Sequence, residues 1–539
     1  MVRIPILSTS LVVLGSSIGT VLAVTPVCSL ASASRLAALK TSSSTTASTL
    51  GSPTYANIAE TVFTTYINYY YSTSGRYLYA SYGSTGTYSN YWNTAIAIQA
   101  LLDYATFHNA HGIGGLGWGA ATVVATVQDI VNTQKTLSGE ANANLENGYN
   151  DDMSWMIHGL TKLYNHTSSA TYVTMAQTLF DQVKLSDDTT CCGSYKGGVW
   201  WDTAHTSKAT AAQLGITVAA LKLGETGAST EYTKAQYLSY AQSHYSFWTS
   251  TPFTNRANGQ IVDHEDTAGA LTWWGFDYNN GLGAFDPPYL VTPGKLICTG
   301  CPYVETGIGA AVHLYLATGT ASYLTDAALF TSYLLSSAQT VTVNGASVQI
   351  LANNCGGCDG DCSQFHQVAM QYLMDYYNVL YNIANANKAT TIQAQVDAAC
   401  NLYEFLQHNV DALYNLARDT TKGSVNCNWN QLWNGQGTDG LQGSMVRVWI
   451  FIIFRLQMKG YFRFVRILPS RLRACLLLCR SGSTKRKLKW RRQLFGREER
   501  EVPSCLLFSI RPWLRIQYSA CNHLGLECPE SPLLELSIM

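Results

Sequence analysis

The chain has 539 residues, 47% apolar and only 13% charged, which excludes long disorder as its main state and allows a large core. Its formal charge of zero joins two unlike parts: residues 446–539 hold 18 Lys and Arg against 6 Asp and Glu, leaving 16 against 28 for residues 1–445. The acidic body argues against nucleic acid as a partner, because phosphate contacts need clustered Lys and Arg.

Residues 1–23 read as a secretory signal peptide, with Arg3 before the apolar run Ile4–Leu14 and a small-residue cleavage site at Val21-Leu22-Ala23. That run is too short to span a bilayer. Residues 24–52 form a Ser/Thr-rich leader, and residues 53–445 form the main domain. From about 55 to 410 apolar residues recur at three- and four-residue steps, as in Met153, Met156, Leu160 and Leu163, or Tyr172, Ala176, Leu179 and Val183. No comparable set of alternating strands separates these stretches, so the periodicity predicts an all-α body of about eleven or twelve helices.

A corner signature recurs along this body. Leu163–Thr167 precedes Tyr172, Leu223-Gly224-Glu225-Thr226-Gly227 precedes Tyr232, and Leu314–Gly319 precedes Tyr323. Each reads as a helix end, a Thr or Thr-Gly turn, and a second helix opened by an aromatic residue. The repeat predicts stacked helical hairpins, which can close into an α/α toroid or run as an open solenoid. About six hairpins would suit closure, with loops converging at one concave end.

Ten of the 15 cysteines lie in the body, and an even count in a secreted chain predicts disulfides without fixing the pairings. The pairs Cys298-x-x-Cys301 and Cys355-x-x-Cys358 leave a zinc site as the alternative. The sequon Asn165-His166-Thr167 predicts a glycosylated surface loop. After Gly443 the composition changes abruptly. Residues 446–539 read either as a basic arm for a nucleic acid or membrane surface, or as read-through into an intron; the second reading is preferred.

The sharpest chemical constellation is Gly148-Tyr149-Asn150-Asp151-Asp152-Met153-Ser154-Trp155. Two consecutive carboxylates open an apolar-periodic helix between aromatic neighbours. A helix N-terminus favours Asp through capping and the dipole, which is one reading of the pair. The other is glycosidic cleavage, which needs one protonated and one ionised carboxyl beside aromatic rings that stack on sugars. Neighbouring like charges keep one proton in place, and successive helical positions diverge enough to flank a bond. A second constellation, Gly197-Gly198-Val199-Trp200-Trp201-Asp202, is followed by Lys208; one of the two Trp is expected in the core and one in a cleft. Trp273-Trp274-Gly275-Phe276-Asp277-Tyr278 reads as a further aromatic wall or a loop folded on itself, and Asp263, Glu265 and Asp266 as a solvated acidic loop.

Together these motifs and the Leu-Tyr-x-x-Thr-Gly hairpins resemble glycoside hydrolase family 76, the endo-α-1,6-mannanases and their fungal cell-wall relatives, over roughly residues 55–445. The resemblance implies an (α/α)6 toroid and a retaining mechanism on α-1,6-mannan, with no cofactor or metal. It implies Asp151 as nucleophile and Asp152 as general acid/base, with Tyr149, Asn150, Trp155, Trp201, Asp202 and Tyr303 lining the cleft. A secreted or wall-associated monomer acting on mannan is expected, with a transglycosidase or a non-catalytic mannan-binding wall protein as alternatives. The chain departs from the family pattern around Gly300–Gly307 and at His366-Gln367.

Overall fold

The computed structural model describes residues 55–80, 88–111, 118–137, 143–193, 196–272, 302–351, 362–386 and 393–418. The expected signal peptide, leader, Trp273–Tyr278 wall and basic tail lie outside these residues. Eleven α-helices are described: α1 (Tyr55–Tyr70), α2 (Tyr91–His111), α3 (Ala120–Gln134), α4 (Asn150–Thr167), α5 (Ala170–Lys184), α6 (Thr210–Thr226), α7 (Lys234–Ser250), α8 (Pro302–Thr318), α9 (Ala321–Ser336), α10 (Cys362–Ala386) and α11 (Gln393–Ala412).

Two kinds of helix follow from two burial patterns. α6 is buried on every side, with each residue from Thr210 to Leu221 removed from solvent. Its small and apolar residues, such as Ala211, Ala212, Gly215, Ala219 and Ala220, let other helices approach all round. α5 instead buries one stripe, Tyr172, Val173, Ala176, Leu179, Phe180 and Val183, and turns its other face to water. The first kind forms an inner ring and the second an outer layer. α2, α4, α6, α8 and α10 are the inner helices, and each packs against the outer helix that follows it.

The inner helices run parallel, because the chain returns along an outer helix after each one. Contacts at matched heights confirm this: Gln99 Nε2 of α2 donates to the Trp155 carbonyl of α4 at 3.2 Å. The first and last described inner helices also meet. Gln367 Nε2 donates to the Ile96 carbonyl and Gln371 Nε2 to Gln99 Oε1, both at 3.1 Å, while Phe365 lies near Trp92 with ring centroids 6.2 Å apart. The architecture is the predicted all-α toroid of helical hairpins.

The recurring corners share one hydrogen-bond pattern. Thr167, Thr226 and Thr318 each donate a hydroxyl to a carbonyl of the preceding turn, at Leu163 (2.9 Å), Leu223 (2.7 Å) and Leu314 (2.8 Å). Each hydroxyl oxygen then accepts a backbone N–H two residues on, from Ser169, Ala228 and Thr320. The intervening residue is left-handed in every case: Ser168 at φ 55°, Gly227 at φ 62° and Gly319 at φ 74°. The threonine thus supplies partners that the helix end lacks, and the left-handed residue turns the chain.

The expectation that no alternating strands interrupt the helices is corrected by a hairpin between α9 and α10. β6 (Gln339–Val343) pairs antiparallel with β7 (Ala346–Ile350), and Asn344 and Gly345 are both left-handed at the turn. The period-two pattern of Val341, Val343, Val348 and Ile350 buries one face, and the Asn-Gly turn is the standard local signal. Shorter strands occur as well: β1 (Tyr71–Ser72) with β2 (Tyr77–Leu78), and a three-stranded sheet of β3 (Ser207–Ala209), β4 (His264–Asp266) and β5 (Leu271–Thr272).

The corners generate a paired prediction. Ser168 carries a Cβ in a left-handed conformation, where glycine is free of strain. Ser168→Gly is expected to stabilise the fold by about 0.5–1 kcal/mol, and Gly227→Ala at the sister corner to destabilise it by about 1 kcal/mol. Urea unfolding of the two variants checks the opposite signs.

Candidate active site

The N-terminal ends of the parallel inner helices all face one end of the ring, where the long connecting loops gather. α4 starts there. Tyr149 is extended (φ −123°, ψ 123°) and the next residue is already helical. Asn150 fixes this start: its backbone N–H donates to the Trp201 carbonyl at 2.8 Å and its side-chain amide to the Trp200 carbonyl at 2.9 Å. Tyr149 forms a bridge with Asp202, and Thr203 N donates to the Gly148 carbonyl at 3.0 Å. The fully buried Asn150 therefore sews the two sequence constellations together.

That stitch sets the side chains. Asp151 and Asp152 occupy the first turn of α4 and are half-buried. Trp201 Nε1 donates to Asp151 Oδ2 at 3.0 Å, whereas Asn147 Nδ2 donates to Asp152 Oδ2 at 2.9 Å. The two carboxylates thus hold different partners. Tyr149 is 44% exposed, and its ring centroid lies 5.1 Å from that of half-buried Trp201. An aromatic corner open to solvent therefore adjoins an ionisable pair. The helix dipole places partial positive charge at the same point.

Tyr91, at the start of α2, is buried within reach of the Asp152 charge. Its hydroxyl donates to the Leu145 carbonyl at 2.6 Å. Burial, followed by the charges of Asp152 and Glu146, pushes the Tyr91 phenol far above its ordinary range. It remains a neutral donor to the Leu145 carbonyl.

The structure sorts the predicted site residues. Tyr149, Asp151, Asp152 and Trp201 are brought together with access to solvent. Of the two neighbouring Trp, Trp201 is the one at the mouth; Trp200 is buried and stacks on His205 at 4.8 Å. Asn150 is interior and touches the loop backbone, at the joint behind the aromatic corner. Trp155 is 4% exposed and packed against His158 and Tyr372. Its place in the helix points it into the ring. Asp202 is also buried, accepting from Thr206 N at 2.9 Å and Thr206 Oγ1 at 2.5 Å, which closes the turn after Trp201. Tyr303 lies in the first turn of α8, and its side chain is outside the described residues. Asn165 is exposed as a sequon requires, but in the last turn of α4 and not in a loop.

Other polar residues support the Trp201 loop. Lys208, the central residue of β3, is completely buried, and its ammonium donates to Asp188 Oδ2 at 3.0 Å, to the Gly197 carbonyl at 2.6 Å and to the Cys191 carbonyl. Desolvation raises the Asp188 carboxyl, but hydrogen bonds from Thr190, Cys191 N and Lys208 outweigh it and hold the group well below the usual carboxylate range. Glu265 sits opposite Lys208 in the β3–β4 register and is 1% exposed, with no hydrogen-bond partner on either oxygen among the described residues. Burial raises its pKa, Lys208 opposing. The solvated acidic loop expected at Asp263, Glu265 and Asp266 is corrected accordingly: Asp263 and Glu265 are buried, because the strand faces them inward. Cys191 and Cys192 are disulfide-bonded to each other in this loop. Among the described residues no group of three or more His, Cys, Asp or Glu side chains is arranged to hold a metal ion.

Sequence reasoning missed Asn147, Tyr91 and Asp188. Asn147-Gly148 is a turn signal just before the acid pair, and Asn147 Oδ1 accepts from Tyr149 N at 3.1 Å. Nothing in the sequence showed that its amide would reach Asp152.

Comparison with known proteins gives a consistent picture. Residues 54–284 match the family model described as glycosyl hydrolase family 76. The fold is similar to that of the α-1,6-mannanase GH76A from Salegentibacter sp. HEL1_6, at 20% identity and TM-score 0.55, covering 75% of this chain and 98% of that one. An inactive variant of that mannanase, with two consecutive aspartates replaced by asparagine, has been solved with α-1,6-mannotriose. The mannosidase Bt3792 from Bacteroides thetaiotaomicron matches at 15% identity and TM-score 0.53, over 74% and 98% of the two chains. Dfg5 from Chaetomium thermophilum, solved with glucosamine, matches at 12% identity and TM-score 0.51, over 76% and 90%. No curated protein sequence matches the chain.

The Asp188 network carries a pH prediction. A carboxyl held low in the folded state contributes stability above its unfolded pKa, near ~4, and loses it as pH falls toward the folded value. Asp188→Asn is expected to lower thermal stability at pH 7, with the gap from the parent closing as pH drops below ~4. Melting curves across pH 2.5–7 read this directly; a gap that widens in acid contradicts it.

Proposed function

We propose that this chain, whose residues 54–284 belong to glycosyl hydrolase family 76, is a secreted glycosidase that cleaves α-1,6-mannosidic bonds of mannan with retention of configuration. One observation carries the reading. The consecutive pair Asp151–Asp152 opens an inner helix beside the solvent-facing Tyr149 and Trp201 rings, with Trp201 Nε1 on Asp151. In the Salegentibacter mannanase the inactivating changes also fall on two consecutive aspartates, in a protein solved with a mannotriose.

Asp151 accepts on both oxygens, from the Trp201 indole N–H and from Asp152 N, each at 3.0 Å, and a carboxylate held at both oxygens suits the nucleophile. Asp152 bears on Tyr91 together with Glu146. A second carboxyl in such acidic company suits a proton carrier. In the first step Asp151 attacks the anomeric carbon; the glycosidic C–O bond breaks as Asp152 protonates the leaving oxygen. In the second, water attacks the glycosyl ester, Asp152 takes its proton and Asp151 departs. The Tyr149–Trp201 corner offers apolar faces to a pyranose ring. The signal-like N-terminus supports export to the wall or medium.

A second reading, transfer of the glycosyl group to an acceptor sugar instead of water, is supported by the likeness to Dfg5, which was solved with an amino sugar. An acceptor sugar added to the digest separates the two: transglycosylation yields elongated products, hydrolysis yields reducing ends.

Asp151→Asn is expected to abolish release of reducing ends from α-1,6-mannan. Asp152→Asn is expected to slow it by about 10²–10⁴-fold, the usual span for a general acid–base group. Far-ultraviolet circular dichroism should be unchanged in both. Full turnover in both variants contradicts the assignment.

A further inference from the structure

Three features outside the reacting groups invite an inference. One is the groove lined by Glu146, Asp181, Lys184, Leu185 and Tyr232 on the outer layer, about 480 Å³ in volume; nothing in it points to an occupant. Another is the buried His313–Asp375 pair between α8 and α10 at 3.3 Å, which joins two ring helices. The third is Lys208, and it reaches the reaction.

We propose that Lys208 is a positioning residue for the Asp151 carboxylate, acting through Trp201 and never touching substrate. This rests on the assignment of Asp151 and Asp152 given above. The buried ammonium grips the 187–199 loop at three places: the Asp188 carboxylate and the carbonyls of Cys191 and Gly197. The last of these lies four residues before Trp201. Gly197 and Gly198 are both left-handed, at φ 139° and 80°, and pack against Phe247. Glycine leaves this backbone free to take other courses, and the bonds to the Gly197 and Gly198 carbonyls, from Lys208 and Asp188 N, select this one. From there the chain is fixed step by step. Gln213 Nε2 donates to the Val199 carbonyl at 2.7 Å, Asn150 takes the carbonyls of Trp200 and Trp201, and Trp201 N donates to the Ser207 carbonyl at 2.8 Å. Ser207 adjoins Lys208 on β3. The lysine therefore holds both ends of the loop whose indole N–H meets Asp151.

Its charge has a reason. A lone ammonium in this position would be costly to bury. Asp188 neutralises it directly, and Glu265 faces it from the adjacent strand. Methionine can fill the aliphatic volume but cannot make the three hydrogen bonds.

The test uses the full-length secreted protein with ¹⁵N-labelled tryptophan, the Trp201 indole signal being assigned by its loss in Trp201→Phe. In Lys208→Met the Trp201 indole resonance is expected to shift. On α-1,6-mannan, kcat should fall about 10-fold with KM changed less than 3-fold. The acid limb of the pH profile should move to higher pH, as is also expected of Trp201→Phe, because Asp151 loses its donor. The double variant should be no slower than the worse single variant. An indole resonance that stays in place, or losses that multiply in the double variant, overturns the proposal. If Lys208→Met does not fold, Asp188→Asn removes one of the three contacts. It should shift the same resonance in the same direction by less, and an unmoved signal there is equally decisive. The indole readout needs no turnover, so failure of the mannanase assignment is distinguishable from failure of this one.

Discussion

Everything at the mouth of the ring depends on the buried side chain of Asn150. It spends its backbone and amide N–H groups on two successive carbonyls, those of Trp201 and Trp200. A buried amide left without partners is expensive, so this pairing is strongly specified. Its consequence is geometric. The start of α4 and the loop before β3 cannot move independently, and Trp201 is carried to Asp151 along with its backbone. The constraint joins residues about fifty positions apart in sequence into one site.

The ring supplies the setting that makes this joint useful. Each outer helix returns the chain to the same end, so the inner helices present their N-termini together and the long loops collect there. The Thr-centred corners at the opposite end are short and hydrogen-bonded to themselves. Partial positive charge at the start of α4 favours carboxylates in its first turn. One carboxylate meets an indole N–H and its neighbour an amide, so two chemically identical residues receive different surroundings. That difference is what a two-carboxylate mechanism requires.

Much of this was legible in the sequence. The helical body followed from apolar periodicity, the hairpins from the Thr-Gly corners, and the acid pair at a helix start from Asn150-Asp151-Asp152. The limits have physical causes. Trp155, three and four residues after the acids, lies one turn further along the same helix face, where His158 and Tyr372 pack on it and solvent does not reach. Asp202 is buried because its carboxylate closes a turn, a use that composition cannot distinguish from binding a ligand. Glu265 and Asp263 looked solvated because short strands give too few residues for period-two burial to show. The β6–β7 hairpin is different: its alternating Val residues around Asn344-Gly345 carry a readable signal, overridden in a chain that is otherwise helical.

The central claim is that Asp151 and Asp152 act on an α-linked mannan by double displacement. The most direct test follows the products of linear α-1,6-mannan by proton NMR from the first minutes of digestion. The account predicts α-configured reducing ends at the outset, with the β anomer growing in only as mutarotation proceeds. Initial release of the β anomer, or no new reducing ends at all, would contradict it.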